Sequence, residues 1–237
     1  MKYENTLNGK FIERTNRFIC YCDINGEKNK VYVPNTGRCK EILVEGADVV
    51  LSESKDSHRK TKYTLLSVYT NGGLINIDSQ APNKIVYDAI IERKIFKDVE
   101  LTIISKEKSY LDSRFDIYYE GLRKEKLIKG FIEIKGVTLF ENNIAYFPDA
   151  PTLRGLKHIK ELITALKEGY ESNIVLLIQK QGSKYFLPNY KMQPEFAKYL
   201  YKAQTQGVNI KAYDTLVTEN EITLNSEIPI GDLKQFK

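Results

Sequence analysis

The sequence predicts an α+β protein in two parts: a small OB-like β-barrel over residues 1–81, then an α/β domain over residues 82–237 with a mixed sheet flanked by helices. Three observations predict this. Up to about residue 80, apolar and polar side chains alternate in short runs separated by turn signals, the period of half-buried strands. From Pro82 the spacing becomes that of amphipathic helices interleaved with strands. NIVLLIQ, in the second part, is a nearly continuous apolar run, as a strand covered on both faces requires.

In the first part, RFICYCDI alternates and ends at Asn25-Gly26, a hairpin turn into KVYVP. ADVVLSES, TKYTLLSVY and LINI follow, giving five short strands, for which an OB-like barrel is the commonest closed arrangement. The second part opens with PNKIVYDAIIERKI, apolar at 85, 86, 89 and 90, with Pro82 at the helix start. The strands VELTIIS, DSRFDIYY and GFIEIKGVTL come next, the last two joined by the charged turn GLRKEKLIK. A helix over 156–167 is closed by Gly169, and PEFAKYLYKAQTQG is a second helix, with Pro194 at its start and Gly207 at its end. VNIKAY is the final strand, so the order from Pro82 is α-β-β-β-α-β-α-β.

Apolar residues make up 42% of the 237 and charged residues 28%, an ordinary globular balance. No apolar run is long enough to cross a membrane as a helix, and MKYENTLNGKF lacks a signal-peptide core, so a cytoplasmic protein is expected. Cys20, Cys22 and Cys39 form no disulfide framework and read as small buried hydrophobes. The net charge is +5, with the excess in the middle: residues 81–213 carry 22 basic and 16 acidic side chains, whereas the tail from Asp214 carries 2 and 5. That excess permits a polyanionic partner without demanding one. The oligomeric state is left open, a homodimer included.

Two consecutive strands each place an acid among apolar residues. In DSRFDIYYE, the alternation sets Phe115, Ile117 and Tyr119 on one face and Arg114, Asp116 and Tyr118 on the other. In GFIEIKGVTL, Ile132 and Ile134 face one way and Glu133 and Lys135 the other. If the strands pair through the charged turn, Asp116 and Glu133 meet. Two ionised carboxylates held together repel each other, and a divalent cation with hard oxygen ligands, Mg²⁺ or Mn²⁺, removes that repulsion. A lysine beside such an ion can orient water or stabilise charge developing on a phosphate. Ordinary salt bridges of Asp116 with Arg114 and of Glu133 with Lys135 are the alternative.

Several blocks, in order along about 200 of the 237 residues, resemble the sugar fermentation stimulation protein family (SfsA). They are NRF at 16–18, PNTGR at 34–38, PNK at 82–84, SRFD at 113–116, EIKGVTL at 133–139, FPDA at 147–150, RGLKHIKEL at 154–162 and GVNIKAY at 207–213. The resemblance implies an N-terminal OB-like domain that binds nucleic acid and a restriction-endonuclease-like domain of the PD-(D/E)xK type. It implies DNA binding and suggests cleavage of DNA or RNA. The motif acid then falls on Asp116 and the E-x-K on Glu133 and Lys135. An earlier family acid aligns with Glu107, at a different spacing and without the usual following glycine. The family's FPDA-x-T-E-R-G reads FPDAPTLRG here, with Leu153 in place of the acid.

The remaining candidates are polar. Asn35, Thr36, Gly37 and Arg38 form a tight loop in which Gly37 would let a backbone approach a phosphate and Arg38 would supply a paired donor. Arg154, Lys157, His158 and Glu161 lie on the polar face of the helix that follows E-x-K, and His158 could hold a scissile phosphate or leaving group. With Arg17 and Arg114, the expected nucleic-acid contacts are Arg17, Asn35, Thr36, Gly37, Arg38, Arg114, Arg154 and Lys157. The expected catalytic groups are Asp116, Glu133, Lys135 and His158, with Asp116 and Glu133 as metal ligands. Tyr21, Tyr32, Tyr63 and Tyr69 lie on barrel strands, mostly as core or rim, with some placed to stack on bases. The sequence thus points to a Mg²⁺-dependent nuclease acting on DNA or RNA, with a non-catalytic DNA-binding regulator as the alternative.

Overall fold

The computed structural model describes residues 1–237 apart from Thr36 and Ser57, so the Thr36 candidate lies outside the described residues. The barrel is built from β1 (Thr6–Arg14), β2 (Ile19–Ile24), β3 (Glu27–Tyr32), β4 (Asp48–Glu53) and β5 (Tyr63–Thr70), and β6 (Gly73–Asn76) forms a hairpin with β5. The order β3-β2-β1-β4-β5 is closed by a parallel pairing of β3 with β5, the five-stranded OB arrangement. The sequence reading missed β1 and counted β6 in its place. TLNGKFIER carries Gly9 and charged residues instead of an apolar run, and pairing to β2 on one side and β4 on the other makes it a strand. The Asn25-Gly26 turn is as expected, with φ of 56° and 84°, the left-handed pair a two-residue hairpin needs. Cys20, Cys22 and Cys39 are free thiols buried in the barrel core.

The second part contains α1 (Ala81–Ile91), β7 (Glu100–Tyr110), β8 (Ser113–Arg123), β9 (Lys126–Val137), β10 (Leu139–Glu141), β11 (Ile144–Phe147) and α2 (Leu153–Lys167). It continues with β12 (Glu171–Ile178), β13 (Tyr185–Pro188), α3 (Pro194–Gln206), β14 (Asn209–Val217) and β15 (Ile222–Ile228). The main sheet runs β15-β14-β12-β9-β8-β7, parallel through β9, β12 and β14 and antiparallel at both sides. This is the mixed sheet the sequence predicted. The apolar run of β12 sits at its centre, with Ile174, Leu176 and Ile178 in one core and Val175 and Leu177 in the other. α1 covers one face through Ile85, Val86, Ala89 and Ile90; α2 and α3 cover the opposite face. The strands β10, β11, β13 and β15 were not legible, being short or carrying polar residues. β10, β11 and β13 make a three-stranded sheet beside the main one.

The two parts meet at a polar seam. Gln179, just past β12, donates to Asn76 Oδ1 and to Asp78 O, both at 3.0 Å, while Asn76 N donates to Gln179 O at 3.0 Å. Asn76 Nδ2 reaches Tyr3 Oη at 3.1 Å, and Tyr3 donates to Asp78 Oδ2 at 3.1 Å. Phe140 packs against both the barrel core and the core under α2.

Candidate active site

β9 sets the site. Its alternation points Ile132 and Ile134 into the core under α1, and Phe131 and Val137 into the core under α2, so Glu133 and Lys135 look toward α2, as the sequence predicted. The two-residue turn at Lys124-Glu125, with φ of 49° and 63°, pairs β8 with β9 antiparallel. That ladder ends at Ile117↔Ile132, and the next positions in the same register are Asp116 and Glu133.

At Asp116 the strands fork. Asp116 Oδ2 accepts from Ile134 N at 2.7 Å, standing where a carbonyl of β8 would otherwise continue the ladder, and Oδ1 accepts from Asn83 Nδ2 of α1 at 2.8 Å. The fork corrects the expected facing of β8. Ile117 and Tyr119 lie in the core under α1, but Phe115 lies in the core under α2 and α3. Side chains change sides at Asp116 because its carboxylate, rather than its backbone, bonds β9. Glu107, opposite on β7, has φ of 57°, a rare conformation that marks the same twist.

Glu133 is 3% exposed. Its Oε1 accepts from Lys135 Nζ at 2.5 Å and from His158 Nδ1 of α2, while its Oε2 is buried and has no partner among the described residues. Arg154 Nε donates to His158 Nε2 at 3.3 Å. An arginine N–H only donates, so Nε2 is the bare nitrogen and the imidazole proton sits on Nδ1, facing Glu133. Phe115 meets the same ring edge-on at 5.9 Å.

The two carboxylates have opposite electrostatics. Burial drives the Asp116 carboxyl up, the Glu133 charge adds to this, and the Ile134 N–H, Lys135 and Asn83 pull it back, leaving it at about 6. Burial also works against the Glu133 anion, but Lys135 and His158 outweigh it and hold Glu133 below its ordinary value. One anion with an unpartnered buried oxygen thus stands beside one carboxyl whose pKa burial has raised. Among the described residues no group of three or more His, Cys, Asp or Glu side chains is placed to hold a metal. The donors are two carboxylates, hard oxygens that suit an ion retaining several waters, such as Mg²⁺.

The helix after β9 departs from expectation. Thr152 caps α2, its Oγ1 accepting from Gly155 N at 2.9 Å, and Arg154 and Lys157 are exposed. His158 and Glu161, expected with them on the polar face, are 3% and 9% exposed. That side looks onto Glu133 and the β7–β8 hairpin, where Lys157 donates to Asp112 O at 2.6 Å. Both ring nitrogens of His158 are occupied, so it positions Glu133 instead of presenting a free nitrogen to a phosphate. Leu153 is 80% exposed at the helix start. Glu107 and Arg114 form an exposed ion pair at 3.5 Å, apart from Asp116's own hydrogen bonds.

The PNTGR loop packs on the loop before α2. A Cβ on Gly37 would lie 2.4 Å from Asp149 Oδ2, so the missing side chain is required by Asp149 of FPDA, where the sequence reading had a phosphate in mind. Asn35 Oδ1 accepts from Gly37 N at 2.7 Å and Asn35 Nδ2 donates to Ile77 O at 2.8 Å; Arg38 is exposed. Sequence reasoning missed the residue that holds this loop. Arg14, ending β1, donates to the carbonyls of Asn35, Gly37, Arg38 and Arg17 at 2.5, 2.7, 2.9 and 2.6 Å. Nothing local in FIERTNRF signals that role. Asn83 was also missed as a partner of Asp116, although it lies in the quoted PNK block.

Residues 12–77 match the family model described as the SfsA N-terminal OB domain, and residues 80–221 match the Sugar fermentation stimulation protein RE domain. The Sugar fermentation stimulation protein homolog of Clostridium beijerinckii is 45% identical over 230 residues, 97% of this chain and 99% of that protein. The homolog of Alkaliphilus oremlandii is 43% identical over 231 residues, 97% of this chain and 98% of its own. Among solved structures, "The structure of Pyrococcus Furiosus SfsA in complex with Ca2+" superposes with a TM-score of 0.85 at 28% identity, covering 98% of each chain.

Proposed function

The chain belongs to the sugar fermentation stimulation protein family, and on that premise we propose that it is a Mg²⁺- or Mn²⁺-dependent nuclease that binds DNA or RNA and hydrolyses phosphodiester bonds. One observation carries the reading. At a fork between two strands, Asp116 and the buried, partly unpartnered Glu133 stand together with Lys135 beside them. A structural ion pair has no need of a second buried carboxyl with a raised pKa or of a buried oxygen without a donor.

In this reading Asp116 and Glu133 hold the cation. The bound ion supplies charge neutralisation and lowers the pKa of a coordinated water. His158, backed by Arg154, fixes the Glu133 carboxylate, and Asn83 and the Ile134 N–H fix Asp116. Lys135 orients the attacking water and offers a positive charge to the phosphate. The Pyrococcus furiosus relative, solved in complex with Ca²⁺, supports a hard-cation site. The barrel, residues 1–81, grips the nucleic acid and residues 82–237 cut it; Arg17, Asn35, Arg38, Arg154 and Lys157 are the proposed contacts. No helix among the described residues is long and apolar enough to cross a membrane, and we place the activity in the cytoplasm.

The test is incubation with labelled single- and double-stranded DNA and RNA in Mg²⁺, Mn²⁺ or EDTA. Cleavage in either metal and none in EDTA is expected; cleavage that survives EDTA, or none on any strand, contradicts the reading.

A further inference from the structure

One enclosed cation in the molecule is met by no acid. Lys180 is 4% exposed, the only buried lysine or arginine among the described residues. It follows the apolar run of β12, and the residue before it is pinned on both sides. Gln179 N donates to Val137 O of β9 at 2.9 Å, and Gln179 O accepts from Asn76 N of the barrel at 3.0 Å. The lysine therefore enters the seam at the carboxyl ends of the parallel strands, the end at which such sheets bind ligands.

The stem of Lys180 is covered, and its amine is unanswered. Nζ lies 4.9 Å from the ring centre of Phe140. Burial alone lowers the pKa of the ammonium below the ordinary 10.5; no carboxylate and no hydrogen bond pulls it back. Lys135, also largely enclosed, is by contrast matched by Glu133 at 2.5 Å. Space is left beside the Lys180 amine. A Cβ on Gly72, in the β5–β6 turn, would lie 2.7 Å from Lys180 Nζ. Gly72 is not among the glycines with positive φ, so its backbone does not demand glycine; the space at the amine does. The β12–β13 loop leaves a second polar atom unmet. Ser183 Oγ is buried without a partner among the described residues, although Gly182 N and Lys184 N on either side donate to Asp214 Oδ2 at 3.1 Å and Asn143 O at 2.8 Å.

A desolvated ammonium without a counter-charge is costly, and a bound anion offsets that cost. A neutral ligand would leave the charge standing. Lysine binds phosphate as a point charge, and a missing Cβ lets backbone come close to such a group. We propose that Lys180, backed by Phe140 and open on the Gly72 side, is a phosphate-binding site at the seam between barrel and sheet. The phosphate belongs either to a free phosphorylated ligand or to the backbone of a bound nucleic acid, and the second source rests on the nucleic-acid part of the reading above. The site stands apart from the carboxylates. Leu176, in register with Lys135, precedes Lys180 by four positions, about 13 Å of strand at about 3.3 Å each.

Thermal unfolding in EDTA, in sodium phosphate against sodium acetate of equal ionic strength, reads the free-phosphate source. Affinity for a labelled DNA duplex across a salt series, also in EDTA, reads the backbone source. Lys180→Met keeps the stem and removes the charge. Gly72→Ala keeps the charge and fills the space, and it carries the test alone if Lys180→Met does not fold. For a free ligand, phosphate should raise the wild-type midpoint above that in acetate, and each variant should weaken the apparent phosphate affinity by about tenfold or more, the cost of one hydrogen bond to a charged group. For a nucleic-acid backbone, each variant should lower the slope of log affinity against log salt by about 0.9, one phosphate contact. Either response supports the site and identifies its source. A phosphate effect that is equal in wild type and variants is general salt stabilisation, and with an unchanged slope it overturns the proposal. Cleavage in Mg²⁺ separates this from the nuclease reading. A wild type that cuts but shows neither response overturns the phosphate site alone; one that shows a response and never cuts overturns catalysis alone.

Discussion

His158 and Glu133 show how the site holds a charge inside a core. Glu133 is buried, so its anion exists only because Lys135 and His158 bond the same oxygen. Replacing His158 by leucine removes the donor and keeps the volume. That should cost about 2–3 kcal/mol in urea unfolding near neutral pH, the range for a buried hydrogen bond to a charged group. Adding Glu133→Leu should recover part of the loss, since removing both partners deletes the buried charge as well. Additive losses in that double-mutant cycle would mean that His158 only packs. The facing of Glu133 and Lys135 was legible in GFIEIKGVTL because strand period is local. The swing of Phe115 beneath His158 was not, because it depends on Asp116 bonding a backbone N–H on another strand. The burial of His158 and Glu161 was likewise invisible: helical spacing defines a polar side but not whether water or a carboxylate faces it.

Among the barrel elements, β1 has the least strand-like sequence yet bridges β2 to β4. It also ends in Arg14, whose guanidinium gathers the carbonyls of two loops. A lysine there has a single ammonium and cannot reproduce that planar fan of donors. Arg14→Lys should leave the strands intact and cost about 1–2 kcal/mol in stability. Amide exchange should accelerate at Gly37 and Arg38, with nucleic-acid affinity falling as the loop loosens. Unchanged exchange there would show that the Asn35 turn and Asp149 hold the loop without Arg14. The three helices were legible because their spacing, prolines and closing glycines are local signals. β10, β11 and β13 were not, since strands of three or four residues exist only through partners distant in sequence.

At the scale of the whole molecule, the polar seam of Tyr3, Asn76, Asp78 and Gln179 joins the barrel to the sheet that carries the carboxylates. Burial raises the Asp78 carboxyl above its ordinary 3.8, and the hydrogen bonds it accepts from Gln80, Tyr3 and Ala81 only partly offset this. The native state therefore binds a proton there that the unfolded chain has already released. Asp78 contributes its full stabilisation below its unfolded value, and the contribution is lost as pH rises through the raised folded value. Compared with Asp78→Asn, the wild type should lose stability as pH climbs from about 4 through that window and stay lower above it. A stability difference between the two proteins that does not change with pH would remove Asp78 as a titrating group of the seam. A fixed seam matters because the cleavage reading needs the barrel's grip and the Asp116–Glu133 fork in constant relation. Lys135 is the group that separates cutting from gripping, for it bonds Glu133 at the fork and lies apart from the barrel surface, while His158 still bonds Glu133 when Lys135 is removed. The most direct measurement compares wild type with Lys135→Ala for cleavage in Mg²⁺ and for affinity on the same labelled strand. Affinity should change little, and cleavage should fall by about 10²-fold or more, the cost of removing one preorganised electrostatic group. Equal cleavage by the two proteins, or no cleavage by the wild type on any DNA or RNA, would contradict the account.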